Sequence, residues 1–265
     1  MAGNGDMHRA RKRFGQNFLD DNSIVDRIVQ AMRLKRDDAV IEVGPGHGAL
    51  TLPLLDALDA LTVVEIDRDL IARLRDRQLA GLTVHEGDAL AVDFTTLLKE
   101  PLNRKPVRLV GNLPYNIGTP LLLRWLDAHD SIQDIHVMLQ KEVVDRLHAQ
   151  PGNRAFGRLS VLLQSVFTIE PLFTVPPTAF TPAPKVKSAV VRLKPLADPP
   201  SAIELAALQR TTRLAFANKR KTLRNNLKAV LDASEIQTLD IDPGARAETL
   251  DLGDFQRLAA RLEQG

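Results

Sequence analysis

Asn112-Leu113-Pro114-Tyr115 is the stretch whose residue types and spacing suit a defined chemistry. It asks for attack by an amine whose lone pair is tied up in an aromatic ring, such as the exocyclic amine of adenine. That amine is a poor nucleophile while it stays planar. Two acceptors, the Asn112 side-chain oxygen and a backbone carbonyl near Leu113, would hold its hydrogens, favour pyramidalisation and aim the lone pair at an electrophile. Pro114 fixes a backbone torsion, so the loop need not be ordered on binding. Tyr115, the one tyrosine of the chain, offers a flat face for the base. The same four residues also fit a plain strand-to-helix loop with a packed tyrosine, and context has to decide.

The elements around the tetrapeptide supply that context. The apolar run 107–111 reads as a strand, and 116–120 as a turn opening into a helix with Leu121, Leu122, Leu123, Trp125 and Leu126. The tetrapeptide thus lies at the carboxyl end of a strand, where open α/β sheets bind ligands. Further strands are expected at 39–43, 61–66 and 132–139, and another within 82–88, which also holds its exit loop, with helices between them. The first helix is expected to be capped by Asp21 or Asn22 and to carry Ile24, Val25, Ile28, Val29 and Met32 as its apolar positions. Such alternation predicts a Rossmann-like, mainly parallel, doubly wound α/β sheet. Runs 166–175 and 187–193 predict a terminal hairpin. The proline-rich stretch between them is stiff enough to hold Phe180 in place at little entropic cost.

Gly44, Gly46 and Ala49 satisfy a loose dinucleotide-type glycine turn, with Glu65 at the end of the next strand where a ribose-binding acid belongs. This pattern fits a nicotinamide dehydrogenase and an S-adenosylmethionine (SAM) enzyme almost equally. Glu42, just before the turn, suits a cationic sulfonium better than a pyrophosphate. Asp88, leaving the third strand, can accept from the cofactor's adenine amine. The acceptor tetrapeptide has no part to play in hydride transfer, so the balance tips to SAM.

The 265 residues, 44% of them hydrophobic, are enough for a full core. The absence of cysteine excludes disulfides, thiolate metal sites and a cysteine nucleophile, and the six histidines lack metal-helix spacing, so no metal is expected. No segment has the length and apolarity of a membrane span, and the protein is expected in the cytoplasm, away from membranes. Net charge is only +2, but Arg210, Arg213, Lys219, Arg220, Lys221, Arg224 and Lys228 fall in a stretch free of acidic residues. A linker at 196–200 divides a domain over 1–197, with a basic arm around 8–13, from a small helical RNA-contacting domain over 198–265. In the latter, Leu223, Leu227, Val230 and Leu231 form one helical face and Arg220, Arg224 and Lys228 another.

Taken together, the sequence closely resembles the bacterial KsgA (RsmA) family of ribosomal RNA adenine dimethyltransferases. The resemblance rests on 15–19 (Gly-Gln-Asn-Phe-Leu), 41–46, 65–67, 87–89, 112–117, 180–186 and 188–193, and covers about residues 11 to 230. It implies that Asn17, Leu19, Gly44, Glu65, Asp88 and Asn112 contact SAM. It also implies N6,N6-dimethylation of two adjacent adenines in the 3′-terminal hairpin loop of small-subunit (16S) rRNA. The expected partner is 16S rRNA or the immature small ribosomal subunit, and the chain is expected to act as a monomer. Two positions depart from the family pattern: His47 where an uncharged residue is expected, and Gly118 where serine is usual. Unstacking a base costs a few kcal/mol and one aromatic face returns roughly 1–3 kcal/mol. Phe180 is therefore expected to join Tyr115 as a second face, on a target already splayed in an RNA loop. A DNA adenine methyltransferase, a large-subunit rRNA methyltransferase and an RNA-binding assembly factor with dispensable catalysis are the rival readings.

Overall fold

The structure is a computed structural model that describes residues 17–97 and 106–263. A two-residue strand β1 (Phe18–Leu19) leads into α1 (Asn22–Met32). The alternation then runs β2 (Val40–Val43), α2 (Thr51–Ala57), β3 (Leu61–Glu65), α3 (Arg68–Asp76), β4 (Leu82–Glu86), α4 (Phe94–Leu97), β5 (Val107–Asn112), α5 (Gly118–Trp125) and β6 (Ile132–Gln140). After α6 (Lys141–Leu147) and α7 (Arg158–Val166) come β7 (Phe167–Val175), β8 (Phe180–Thr181) and β9 (Ser188–Pro195). The chain ends in α8 (Ala202–Ala215), α9 (Leu223–Leu227), α10 (Ala233–Gln237) and α11 (Leu252–Glu263).

Seven strands form one sheet in the order β4-β3-β2-β5-β6-β9-β7. The pairs from β4 to β6 are parallel, and β9 returns antiparallel to β6. The doubly wound α/β fold expected from the alternation is therefore present. Strands β2 and β5 are buried along nearly their whole length, as parallel strands covered on both faces must be. Winding reverses between β2 and β5, so their carboxyl ends part and leave a crevice. Gly111 lets the two approach: a Cβ there would stand 2.4 Å from the Val43 carbonyl oxygen. Asp21 caps α1 by accepting from the Ser23 N–H at 2.9 Å.

Two features were not legible in local pattern. Strands β1 and β8 pair antiparallel, with Leu19 opposite Phe180, in a small sheet of their own. Arg108, inside an apolar run, is 4% exposed and lies 2.8 Å from both Asp38 and Asp134.

The chain divides into two compact units. One is built from residues up to Lys141 with Pro171–Leu193, the other from Glu142–Glu170 with Lys194 onward. The boundary expected at 197/198 is thus crossed by 142–170, whose helices cluster with the C-terminal ones. Within this second unit Phe216 stacks on Phe255 at 5.5 Å, and Leu205, Leu208 and Leu258 are buried. The linker gives way to α8 through a capping box, in which Glu204 accepts from the Ser201 N–H at 2.8 Å. The single helix expected across 220–231 is broken. Only 223–227 is helical, and Asn226 Nδ2 donates to the carbonyls of Ala215 (2.7 Å) and Asn218 (3.1 Å), tying down the turn that ends α8.

Candidate active site

In the first unit, the ends of β2, β3, β4 and β5 converge with β1 on one cavity of about 330 Å³. Asn17, Leu19, Gly44, Glu65, Asp88, Asn112, Leu113, Pro114 and Tyr115 all line it. Glu42 also lines it, so three carboxylates face this space, whereas no lysine or arginine does among the described residues. A wall with carboxylates and no cationic side chain suits a cationic ligand and offers no counter-charge to a pyrophosphate.

The glycine turn forms the floor. Gly46 has φ of +57°, and a Cβ there would meet the Phe18 ring at 3.1 Å. Phe18 in turn lies 4.1 Å from the His47 ring, so His47 is a half-buried wall residue and not a solvent-facing one.

Glu65 is held firmly at the end of β3. Its Oε1 accepts from the N–H groups of Ile66 and Asp67, each at 2.9 Å, while Oε2 receives only the longer 3.4 Å contact from Gly46 N–H. A carboxylate has about four acceptor positions, so Oε2 keeps capacity for hydroxyl donors. Burial pushes the Glu65 pKa up against these three hydrogen bonds. Beyond it Ile66 is 43% exposed, an apolar side chain on the cavity wall suited to a flat base. Sequence reading missed Ile66 and Phe18. The signal for Ile66 was an apolar residue directly after a strand-end carboxylate. Asp88 orients itself by accepting from Leu90 N–H at 2.9 Å.

The acceptor loop is tied from several directions. Asn112 Nδ2 donates to the Asn17 carbonyl at 2.9 Å, which leaves Oδ1 as the free acceptor. The Pro114 carbonyl accepts from Ile117 and Gly118 N–H, closing the turn into α5 and leaving the Leu113 carbonyl outside it. Leu113 N–H donates to the Met138 carbonyl of β6 at 3.3 Å. The two acceptors expected for an amine are therefore available side by side in sequence. At Gly118, one of the two departures, a Cβ would stand 2.5 Å from Leu139 Cδ2, so a serine here would need Leu139 to move.

Phe180 is placed differently from the expectation. It is 4% exposed and packs in the apolar cluster with Leu19, Ile24, Val175 and Val190, not on the cavity wall. Pairing with β1 buries its ring, so the second aromatic face for a base does not come from it in this arrangement.

Glu42 also differs. It is 1% exposed and accepts from Thr51 Oγ1 at 2.7 Å. Burial pushes its carboxyl up to about 8, against the Thr51 hydrogen bond and with the help of nearby Glu65, so at neutral pH it is mostly protonated, not anionic. The unfolded chain has the ordinary value of 4.5, so the folded protein alone holds this proton between the two values. Its stabilising contribution is full below about 4.5 and is lost as pH rises through about 8. Glu42→Gln keeps the neutral shape, and its gain in urea midpoint over wild type is expected to be larger at pH 8 than at pH 5. An equal difference at both pH values would contradict a buried, protonated Glu42.

Comparison with known proteins gives the family. The family model described as ribosomal RNA adenine dimethylase matches residues 7–264. Ribosomal RNA small subunit methyltransferase A of Chromohalobacter salexigens is 51% identical over 100% of this chain and 95% of its own length. Among solved structures, a dimethyladenosine transferase from Plasmodium falciparum has a TM-score of 0.74 at 25% identity, covering 93% of this chain and 98% of that one. The 23S rRNA methyltransferase ErmE has a TM-score of 0.70 at 27% identity, covering 94% and 100%.

Proposed function

The chain belongs to the ribosomal RNA adenine dimethylase family, and on that premise we propose that it methylates N6 of two adjacent adenines, twice each, in the 3′-terminal hairpin loop of 16S rRNA. The methyl donor is SAM, and the substrate is the immature small ribosomal subunit, met in the cytoplasm by a single copy of the chain. The observation that carries this reading is the acceptor loop. Asn112 has its donor end committed to Asn17 and the turn has consumed the Pro114 carbonyl, so Oδ1 of Asn112 and the carbonyl of Leu113 remain to take the two hydrogens of an aromatic amine.

The cavity residues fit SAM. Glu65 Oε2 has room for ribose hydroxyls, Asp88 for the adenine amine of the cofactor, and Ile66 for the face of that base. Asn17, Leu19 and Gly44 close the remaining wall. When bound, SAM supplies a methyl group made electrophilic by its sulfonium. This chain's residues then hold the target adenine, exclude water and orient its lone pair. Tyr115 gives the base an aromatic face. One face barely offsets unstacking, so the target is an adenine already splayed in a loop. The methylated nitrogen is acidic enough to lose its proton to water, so the site needs no dedicated base.

The second unit serves as the RNA-contacting part. Arg220, Arg224 and Lys228 are all exposed, while Arg210 pairs with Glu263 and Lys219 donates to the Arg154 carbonyl at 2.9 Å. Neutralising any one of the three exposed cations is expected to flatten the salt dependence of RNA affinity by about one slope unit. Filter binding across a salt series measures it, and an unaltered slope returns that residue to the solvated surface.

The test of the function is incubation of small subunits lacking the modification with methyl-labelled SAM, followed by mass identification of the nucleosides and mapping of their positions. Dimethyladenine at two adjacent 16S positions is expected. Label confined to 23S rRNA would favour the activity named for ErmE, and no label at all would sink the proposal.

A further inference from the structure

We propose that Ser188 is a positioning residue for methyl transfer: its hydroxyl, through a hydrogen bond to Tyr115, fixes the ring on which the target base rests. The inference rests on the adenine-methylating reading above and extends it to a residue outside the cavity wall.

Tyr115 Oη and Ser188 Oγ are 2.7 Å apart, although the two residues are separated by 73 positions. Ser188 is 0% exposed, so its hydroxyl reaches no water and finds its partner in the tyrosine. A buried hydroxyl without a partner is costly, which makes this contact a constraint on the ring and not an incidental touch. Held only at Cβ, a half-buried tyrosine swings about its first two torsions, and a second hold at the far end of the ring removes that freedom.

The anchor is itself rigid. Ser188 begins β9 directly opposite Gln140 of β6, and Lys141 N–H donates to the Lys187 carbonyl at 2.9 Å. Strand β6 also holds the acceptor loop directly, through the Met138 carbonyl and Leu113 N–H. The amine acceptors and the stacking face thus take their positions from one strand, the acceptors directly and the ring through Ser188. A displaced ring would leave cofactor binding untouched, because none of the SAM-facing carboxylates contacts Ser188. It would instead move the adenine nitrogen off its line of attack, where an error near 1 Å costs up to about 10²-fold in rate.

The test compares wild type, Ser188→Ala, Tyr115→Phe and the double variant in single-turnover methylation of unmodified small subunits at saturating SAM and RNA. SAM affinity by calorimetry and unfolding midpoint are measured on the same samples. Each single variant is expected to lose about tenfold in rate, with SAM affinity and RNA half-saturation unchanged, as for loss of one hydrogen bond that leaves its partner unpaired. The double variant is expected to be no slower than either single one, because all three lack the same bond. A packing defect in β9 would instead multiply with the defect at the ring, and that result overturns the proposal. So does Ser188→Ala at the wild-type rate. Should Ser188→Ala not fold, Tyr115→Phe decides: a tenfold loss supports the assignment and a full rate overturns it. If wild type itself leaves the adenines unmethylated, the functional reading fails first. An active wild type with unaffected variants removes only Ser188's role.

Discussion

Asn112→Ala is expected to lower the single-turnover rate of adenine methylation by about 10²–10³-fold, the cost typical of removing one preorganised polar group from a reacting centre. The same variant should bind SAM far less altered, because the residue's link to the cofactor side is a single hydrogen bond from Nδ2 to the Asn17 carbonyl. The two ends of this amide therefore separate two functions. Its nitrogen donates to the Asn17 carbonyl beside β1, and its oxygen is the acceptor proposed for the amine. Asn112→Asp sharpens the distinction: it restores an acceptor but sets a carboxylate oxygen against the Asn17 carbonyl, so cofactor affinity should fall with the rate. Rapid-quench methylation and calorimetry on both variants measure the split. A wild-type rate for Asn112→Ala would remove the amide from the chemistry altogether.

The acceptor loop could be read from sequence because its chemistry is local. Four consecutive residues carry the acceptors, the stiffness and the aromatic face, and strand periodicity alone put them at a sheet's carboxyl end. The placement of Glu65 and Asp88 on the cavity was legible for the same reason, as polar residues at or just past strand ends. What periodicity does not carry is the partner across space. The pairing of Leu19 with Phe180 joins residues 161 positions apart (180 − 19) and takes the Phe180 ring into the core, where a local reading gave it to the ligand. The Tyr115–Ser188 bond is invisible on the same ground.

Charge was misread where burial decides it. Glu42 sits in a strand whose four residues are all buried, and a carboxyl so placed with one hydroxyl donor keeps its proton. Arg108 is the opposite case, a cation retained in the interior because Asp38 and Asp134 meet it. The break in the helix expected over 220–231 also has a local cause. Asn225 and Asn226 bond to neighbouring groups in preference to continuing the turn, and Val230 is left 44% exposed. Arg224 thus lies on the short helix and Arg220 and Lys228 on the turns flanking it, which spreads them instead of aligning them in one stripe.

Glu65→Ala is expected to weaken SAM affinity by about 10²-fold. That corresponds to losing hydrogen bonds to a charged acceptor, each worth about 1.5–3 kcal/mol. Part of the loss is indirect. The carboxylate also gathers the N–H groups of Ile66, Asp67 and Gly46, so removing it loosens the glycine turn and the start of α3 together. Glu65→Gln separates these contributions. Its amide oxygen can keep the two short bonds from Ile66 and Asp67, but its NH2 group then faces the cavity from the Oε2 position, offering donors where ribose hydroxyls need an acceptor. A direct ribose role therefore predicts that the glutamine variant keeps most of the wild-type stability yet loses nearly as much SAM affinity as alanine. A purely structural role predicts that both properties recover together. Calorimetric titration with SAM and urea unfolding of the two variants distinguish these outcomes, and unchanged SAM affinity in Glu65→Ala would take the ribose contact away from this carboxylate.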